Sequence, residues 1–194
     1  MDDSSVFRII AGLGNPGSEY ANTRHNVGFL VVDELASRLK LNFQFEKQWD
    51  ADTAKSGDLW LLKPKTFMNL SGEAVSLLAR YYKILPSQVL IVTDDASLPL
   101  GHLRLRKDGS PGGHRGVESI LMHLGTSVVP RLRVGIGSAT GEMQDHVLGK
   151  FLAEEAPLVN DAVKRAADAI QHALTNDLDV TMNLFNQNTT ANTL

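Results

Sequence analysis

The run Val89-Leu90-Ile91-Val92 is apolar at every position and is followed within two residues by Asp94-Asp95. A strand with one wet face alternates apolar and polar residues, whereas a strand apolar throughout has both faces covered, as in a parallel sheet between layers of helix. Its two carboxylates then arrive at the carboxyl end of the strand, where open α/β sheets carry their sites. The rest of the chain repeats the alternation that this strand demands. Phe7 to Leu13 reads as a short buried strand stopped by the turn formers Gly14, Asn15, Pro16 and Gly17. From Asn26 to Leu41 the residues Val27, Leu30, Val31, Leu35 and Leu39 recur at helical spacing, with Thr23 or Asn22 as cap. Leu59 to Leu62 is a strand ended by Lys63-Pro64, and Asn69 to Ile84 a second helix with Asn69 or Ser71 near its cap. Leu103 to Leu105 and Leu132 to Ile136 supply further strands, Val117 to Leu124 a short helix and Glu154 to Leu174 a long one. The pattern predicts one α/β domain over residues 1–194, with a twisted, largely parallel (mixed) sheet flanked by helices on both faces. Residues 1–5 and 186–194 are expected to be disordered tails, and the glycine-rich stretch Lys107 to Gly113 a mobile loop beside a site.

Composition removes several chemistries. No cysteine occurs, which excludes disulfides, zinc-thiolate sites and cysteine nucleophiles. No apolar run reaches eighteen residues and no basic segment precedes an apolar one at the start, so a soluble, cytoplasmic protein without a membrane contact is expected. Nineteen basic against 22 acidic residues give a net charge of −3, but the charge is uneven. Arg104, Arg106, Lys107, Arg115, Arg131 and Arg133 fall in one stretch, whereas 142–179 is acidic. The first stretch could attract phosphate; a solvated surface with chance clustering is the alternative.

Gly12-Leu13-Gly14-Asn15-Pro16-Gly17 satisfies the dinucleotide pattern G-x-G-x-x-G directly after a strand. That fingerprint requires a helix to begin inside the glycine turn, its amides facing the pyrophosphate. Here Pro16 removes an amide and helical periodicity starts only near Asn26. The chain has no G-x-S-x-G elbow, and its six histidines show no H-E-x-x-H spacing. Hydrolysis would therefore use activated water, with no metal and no cofactor. His25, at the entry to the first helix, is read as either a structural cap or a base pointing into a cleft; Asn69 and Asp94 have capping readings of their own.

Several motifs taken together resemble the bacterial-type peptidyl-tRNA hydrolase family. They are the glycine loop with Tyr20 and Thr23-Arg24-His25-Asn26-Val27-Gly28, then Lys63-Pro64-Lys65-Thr66-Phe67-Met68-Asn69-Leu70-Ser71-Gly72, then Asp94-Asp95 through Leu98-Pro99-Leu100-Gly101. Gly112-Gly113-His114-Arg115-Gly116, Arg131-Leu132-Arg133-Val134-Gly135-Ile136-Gly137 and Val147-Leu148-Gly149-Lys150-Phe151 follow in the same order. The resemblance covers about Arg8 to Phe185. It implies a metal-free ester hydrolase acting on peptidyl-tRNA, with His25 as general base, Asp94 as its carboxylate partner, and Asn15 and Asn69 holding the substrate beside them. Tyr20, Phe67 and Arg115 would contact the tRNA 3′ end or the peptide, and a monomer is implied.

Three positions depart from the family's pattern. Arg115 stands where an asparagine is usual, Ser97 where an acid is usual and Thr93 where a histidine is usual; the last two are read as peripheral. Arg115 and the basic stretch leave one alternative function, a non-catalytic RNA-binding relative of the intron-splicing-factor kind. Retention of Asn15, His25, Asn69 and Asp94 favours the enzyme, because a binder has no need of a base and carboxylate pair.

Overall fold

Alternate residues of the central strands feed two separate cores, which is why those strands are apolar without a break. Ile10, Leu61, Leu90, Val92, Leu132 and Val134 face one layer of helices, while Ile9, Ala11, Leu62, Val89 and Ile91 face the other. The computed structural model describes residues 7–187. Its strands are β1 (Ile9–Gly12), β2 (Gln44–Glu46), β3 (Ala51–Ser56), β4 (Leu59–Pro64), β5 (Val89–Asp95), β6 (Leu103–Arg106) and β7 (Arg131–Gly135), in the order β2-β3-β4-β1-β5-β7-β6. The four central strands run parallel. Antiparallel β3 and β2 extend one side and β6 the other, so the sheet is mixed, as expected. Helices α1 (Val27–Arg38) and α5 (Ala156–Ala173) cover one face, and α2 (Ser71–Tyr81) and α3 (Arg115–Leu124) the other. Among the described residues no helix is long and apolar enough to cross a membrane.

This winding places a crevice at one end of the sheet. β1 leads into α1 on one face and its neighbour β4 into α2 on the opposite face, so the connections part beyond the carboxyl ends of the strands. Loops from β1, β4 and β5 meet there.

The glycine pattern after β1 has a packing cause. A Cβ on Gly12 would strike the carbonyl oxygen of Gly28, and one on Gly28 would strike that of Val92 and lie 2.6 Å from the backbone nitrogen of Leu13. The first turn of α1 therefore rests directly on the backbones of β1 and β5, which no larger residue permits.

Several local expectations are corrected. The segment 44–56, to which no element is assigned from the sequence, contains β2 and β3; their charged and small residues (Glu46, Asp52, Ala54, Lys55) hide the alternation, and pairing with β4 creates the strands. Two helices, α4 (Met143–Leu148) and α6 (Leu178–Phe185), were also not anticipated. Thr23 does not cap α1: it precedes a 3₁₀ turn, Arg24–Asn26, and donates its hydroxyl to Tyr20 O at 2.9 Å, leaving Asn26 at the cap position. Neither Asn69 nor Ser71 caps α2, whose cap position is Leu70. Asn186, assigned to a disordered tail, is anchored: its Oδ1 accepts from Leu105 N at 2.6 Å and its Nδ2 donates to Leu105 O at 3.0 Å, completing the free edge of β6. Gln187 follows it, exposed, and the remaining tail residues, 1–5 and 188–194, lie outside the described residues.

Candidate active site

The carboxyl ends of the strands open into a cleft of about 1310 Å³. It is lined by every residue singled out from the sequence: Asn15, Tyr20, His25, Phe67, Asn69, Asp94 and Arg115. At its floor lies Asp94, 4 % exposed at the end of β5. His25 Nδ1 and His114 Nε2 each stand 2.9 Å from the same carboxylate oxygen, Oδ1. Burial by itself raises the carboxyl's pKa, but the charge and hydrogen bond of His114, with those of His25, outweigh it and hold Asp94 at about 2. Asp94 is an ionised acceptor across the neutral range.

The hydrogen bonds fix both tautomers. His25 donates from Nδ1 to Asp94, so its Nε2 is the nitrogen left for a proton from elsewhere. His114 Nδ1 accepts the Val117 amide at 3.3 Å as the cap of α3, so neutral His114 carries its proton on Nε2, toward Asp94. Thr93 Oγ1, 2.8 Å from that Nε2, is therefore part of the site and not peripheral.

Asn15 is 8 % exposed and its orientation is set by a backbone donor: Met68 N donates to its Oδ1 at 2.8 Å, which leaves the Nδ2 donors unpaired among the described residues. Asn69 is exposed in the 3₁₀ turn Met68–Leu70 and makes no capping bond, so the structural reading of that residue fails. The capping reading of His25 fails equally, since its ring is committed to Asp94. Phe67, 56 % exposed, and half-buried Tyr20 put aromatic surface on the cleft wall.

The basic stretch proves not to be one patch. Arg131 is buried and donates to the carbonyls of Val129, Ser110 and Ser127, with its pKa lowered first by burial and then by Arg133. Arg133 pairs with Asp95, and Lys107 with Asp179 of α6 at 2.6 Å. Arg106 and Arg115, exposed at the cleft, have no acidic partner among the described residues. The 107–113 loop does lie beside the site, with its residues 108–113 on the wall.

Sequence reasoning assigned no role to His114, although it lies in a quoted motif, nor to Met143, Gln144, Val147 and Leu148 of α4, which also line the cleft. The ligating atoms of His25, Asp94 and His114 fall within 4.8 Å of one another, a spacing that could gather an ion. Both ring nitrogens, however, are already engaged with Asp94, and His114 would have to give up its bond from Val117 to turn a lone pair inward. The trio reads as a hydrogen-bonded node.

Comparison with known proteins agrees with this geometry. A family model described as peptidyl-tRNA hydrolase matches residues 9–193. The peptidyl-tRNA hydrolase of Synechococcus sp. (strain JA-3-3Ab) is 46 % identical over 187 residues, covering 93 % of this chain and 83 % of that protein. That of Desulfitobacterium hafniense (strain Y51) is 46 % identical over 184 residues, covering 93 % and 100 %. The crystal structure of the Acinetobacter baumannii peptidyl-tRNA hydrolase superposes with a TM-score of 0.90 at 34 % identity, covering 94 % of this chain and 96 % of that one. With the match spanning nearly the whole chain, and with the motif residues gathered in one cleft, the chain belongs to the peptidyl-tRNA hydrolase family.

Proposed function

We propose that this chain hydrolyses the ester joining a peptide to the 3′ end of its tRNA, with His25 as the general base. The observation that carries the reading is the His25 Nδ1 to Asp94 Oδ1 contact of 2.9 Å, which leaves Nε2 free in a cleft beside the Asn15 amide. Water bound at Nε2 loses its proton to the ring as its oxygen attacks the ester carbonyl carbon. Asp94 stabilises the imidazolium that forms. The carbonyl oxygen gathers negative charge, and the Nδ2 donors of Asn15 and the amide of Asn69, both on the cleft wall, are the groups assigned to receive it. Collapse of the tetrahedral adduct breaks the bond to the ribose oxygen, and the imidazolium returns the proton to it. The products are a free peptide acid and a tRNA with a 3′-terminal hydroxyl. Tyr20 and Phe67 offer faces for the unpaired 3′ bases, and Arg115 a phosphate contact.

General-base assistance is worth about 10²–10⁴-fold, and each oxyanion donor about 10²–10³-fold, enough for an already reactive ester without further chemistry. The cytoplasm, where translation supplies the substrate, is the compartment that fits, and one chain contains the whole constellation, in keeping with a monomer. Incubation with peptidyl-tRNA tests the function. Release of peptide supports it; tRNA binding without release would favour the RNA-binding alternative.

A further inference from the structure

The residues on either side of His25 are the buried ones. Arg24 and Asn26 are 8 % and 1 % exposed, whereas the His25 ring opens to the cleft. Asn26 is fastened to the glycine loop: Asn15 N donates to its Oδ1 at 2.8 Å, and its Nδ2 donates to Asn15 O at 2.9 Å. Arg24 is fastened elsewhere. Its backbone N donates to Gly149 O at 2.9 Å, and its guanidinium donates to Ile136 O at 3.2 Å and to both carboxylate oxygens of Glu155, at 3.1 and 2.8 Å. The guanidinium carbon lies 4.9 Å from the centre of the Phe151 ring. Glu155 is held in turn, since its Oε2 also accepts from Leu152 N at 2.7 Å.

This arrangement is costly without its partner. A two-pronged guanidinium–carboxylate pair fixes direction as well as distance, and a largely buried cation left unpaired is strongly unfavourable. The clamp also joins two parts of the cleft, because Gly149 to Glu155 directly follows α4, which forms one wall, while Arg24 immediately precedes the base. A contact of Arg24 with tRNA phosphate is a poor alternative: its guanidinium is already engaged and its side chain is only 10 % exposed.

We propose that Arg24 and Glu155 are positioning residues for His25, their ion pair setting the turn Arg24–Asn26 so that the ring meets Asp94 on one side and the attacking water on the other. The inference rests on the assignment of His25 as base. Its size follows from geometry, since displacement of a reacting group by about 1 Å costs on the order of 10²-fold in rate.

The test compares kcat and KM for hydrolysis of an N-acetylated aminoacyl-tRNA by Glu155→Gln, which removes the charge at constant size, and by Arg24→Lys, which keeps the charge but loses the fork. For Glu155→Gln kcat falls roughly ten- to hundredfold while KM stays within about twofold; Arg24→Lys shifts in the same direction. Both are repeated in a His25→Ala background under single turnover with enzyme in excess. There neither substitution lowers the residual rate more than about twofold, because no ring remains to be positioned. The slope of tRNA binding against salt is unchanged in both variants. If Glu155→Gln does not fold, Arg24→Lys carries the same comparison. A kcat within about twofold of wild type, a higher KM at unchanged kcat, or an equal fractional loss without His25 overturns the proposal. His25→Ala alone distinguishes the two claims: rapid turnover removes the base assignment and the clamp with it, whereas a slow His25→Ala beside a fast Glu155→Gln removes only the clamp.

Discussion

At the scale of single residues, Asp94 gathers two histidines on one carboxylate oxygen, and its environment sets a pH dependence. Its pKa of about 2 in the folded chain lies below the ordinary aspartate value of 3.8. A group depressed in this way contributes stability that is present above its unfolded pKa and lost as pH falls through the folded one. The window is therefore about pH 4 down to pH 2, and the contribution is on the order of 2 kcal/mol. Asp94→Asn should flatten acid unfolding in that window, as followed by circular dichroism; an unchanged acid limb would contradict the assignment. Asn15 supports a second prediction. Its side chain lines the cleft from the glycine loop, held there through Oδ1, so Asn15→Ala is expected to reduce the preference for N-blocked over free aminoacyl-tRNA more than Asn69→Ala does. Equal selectivity ratios would remove it from that role. Arg115 stands exposed at the first position of α3 with no acidic partner among the described residues. If it contacts phosphate, Arg115→Asn lowers the slope of log K against log salt by roughly 0.7–0.9 while turnover is retained. Parallel lines for the two proteins would make it an ordinary surface arginine.

At the scale of elements, the close contact of α1 with β1 and β5 seats the turn that carries His25 beside Asp94. Gly28 is the point of closest approach, with no room for a Cβ between Val92 O and the Leu13 backbone. Gly28→Ala is expected to cost roughly 1–3 kcal/mol, read as a lower denaturant midpoint, because the helix must lift from the sheet. An unchanged midpoint would show that the approach can relax. The elements legible in the sequence were those whose own residues carry the signal: the unbroken apolar runs of β1 and β5, and the helical spacing of α1 and α5. β2 and β3 were not legible, because their residues become a strand only through pairing with β4. α4 was missed because it is one short, exposed helix with no buried stripe. His114 was missed for a different reason. Its role depends on α3 placing a residue twenty positions beyond Asp94 back onto the same carboxylate oxygen, a contact that spacing along the chain does not announce.

At the scale of the whole molecule, topology and charge divide the labour. The parting of the β1 and β4 connections opens the crevice, and the ends of three strands bring four polar groups to it: Asn15 and His25 after β1, Asn69 after β4, Asp94 at the end of β5. The basic stretch read from the sequence is largely consumed in holding the scaffold, through Arg131 on backbone carbonyls and the Arg133–Asp95 and Lys107–Asp179 pairs. Of the three others, partly buried Arg104 does not line the cleft, whereas Arg106 and Arg115 do and can meet an anionic substrate. In the proposed reading, binding and chemistry fall to different side chains, which substitution can separate. The most direct measurement is peptide release from peptidyl-tRNA by the wild-type chain and by His25→Ala, with a chelator in excess and tRNA affinity measured in parallel. The account predicts release by the wild type despite the chelator, a loss of about 10²–10⁴-fold in the variant, and tRNA affinity little changed between them. Turnover near the wild-type level in His25→Ala, or release that disappears with chelation and returns with a divalent ion, would contradict it.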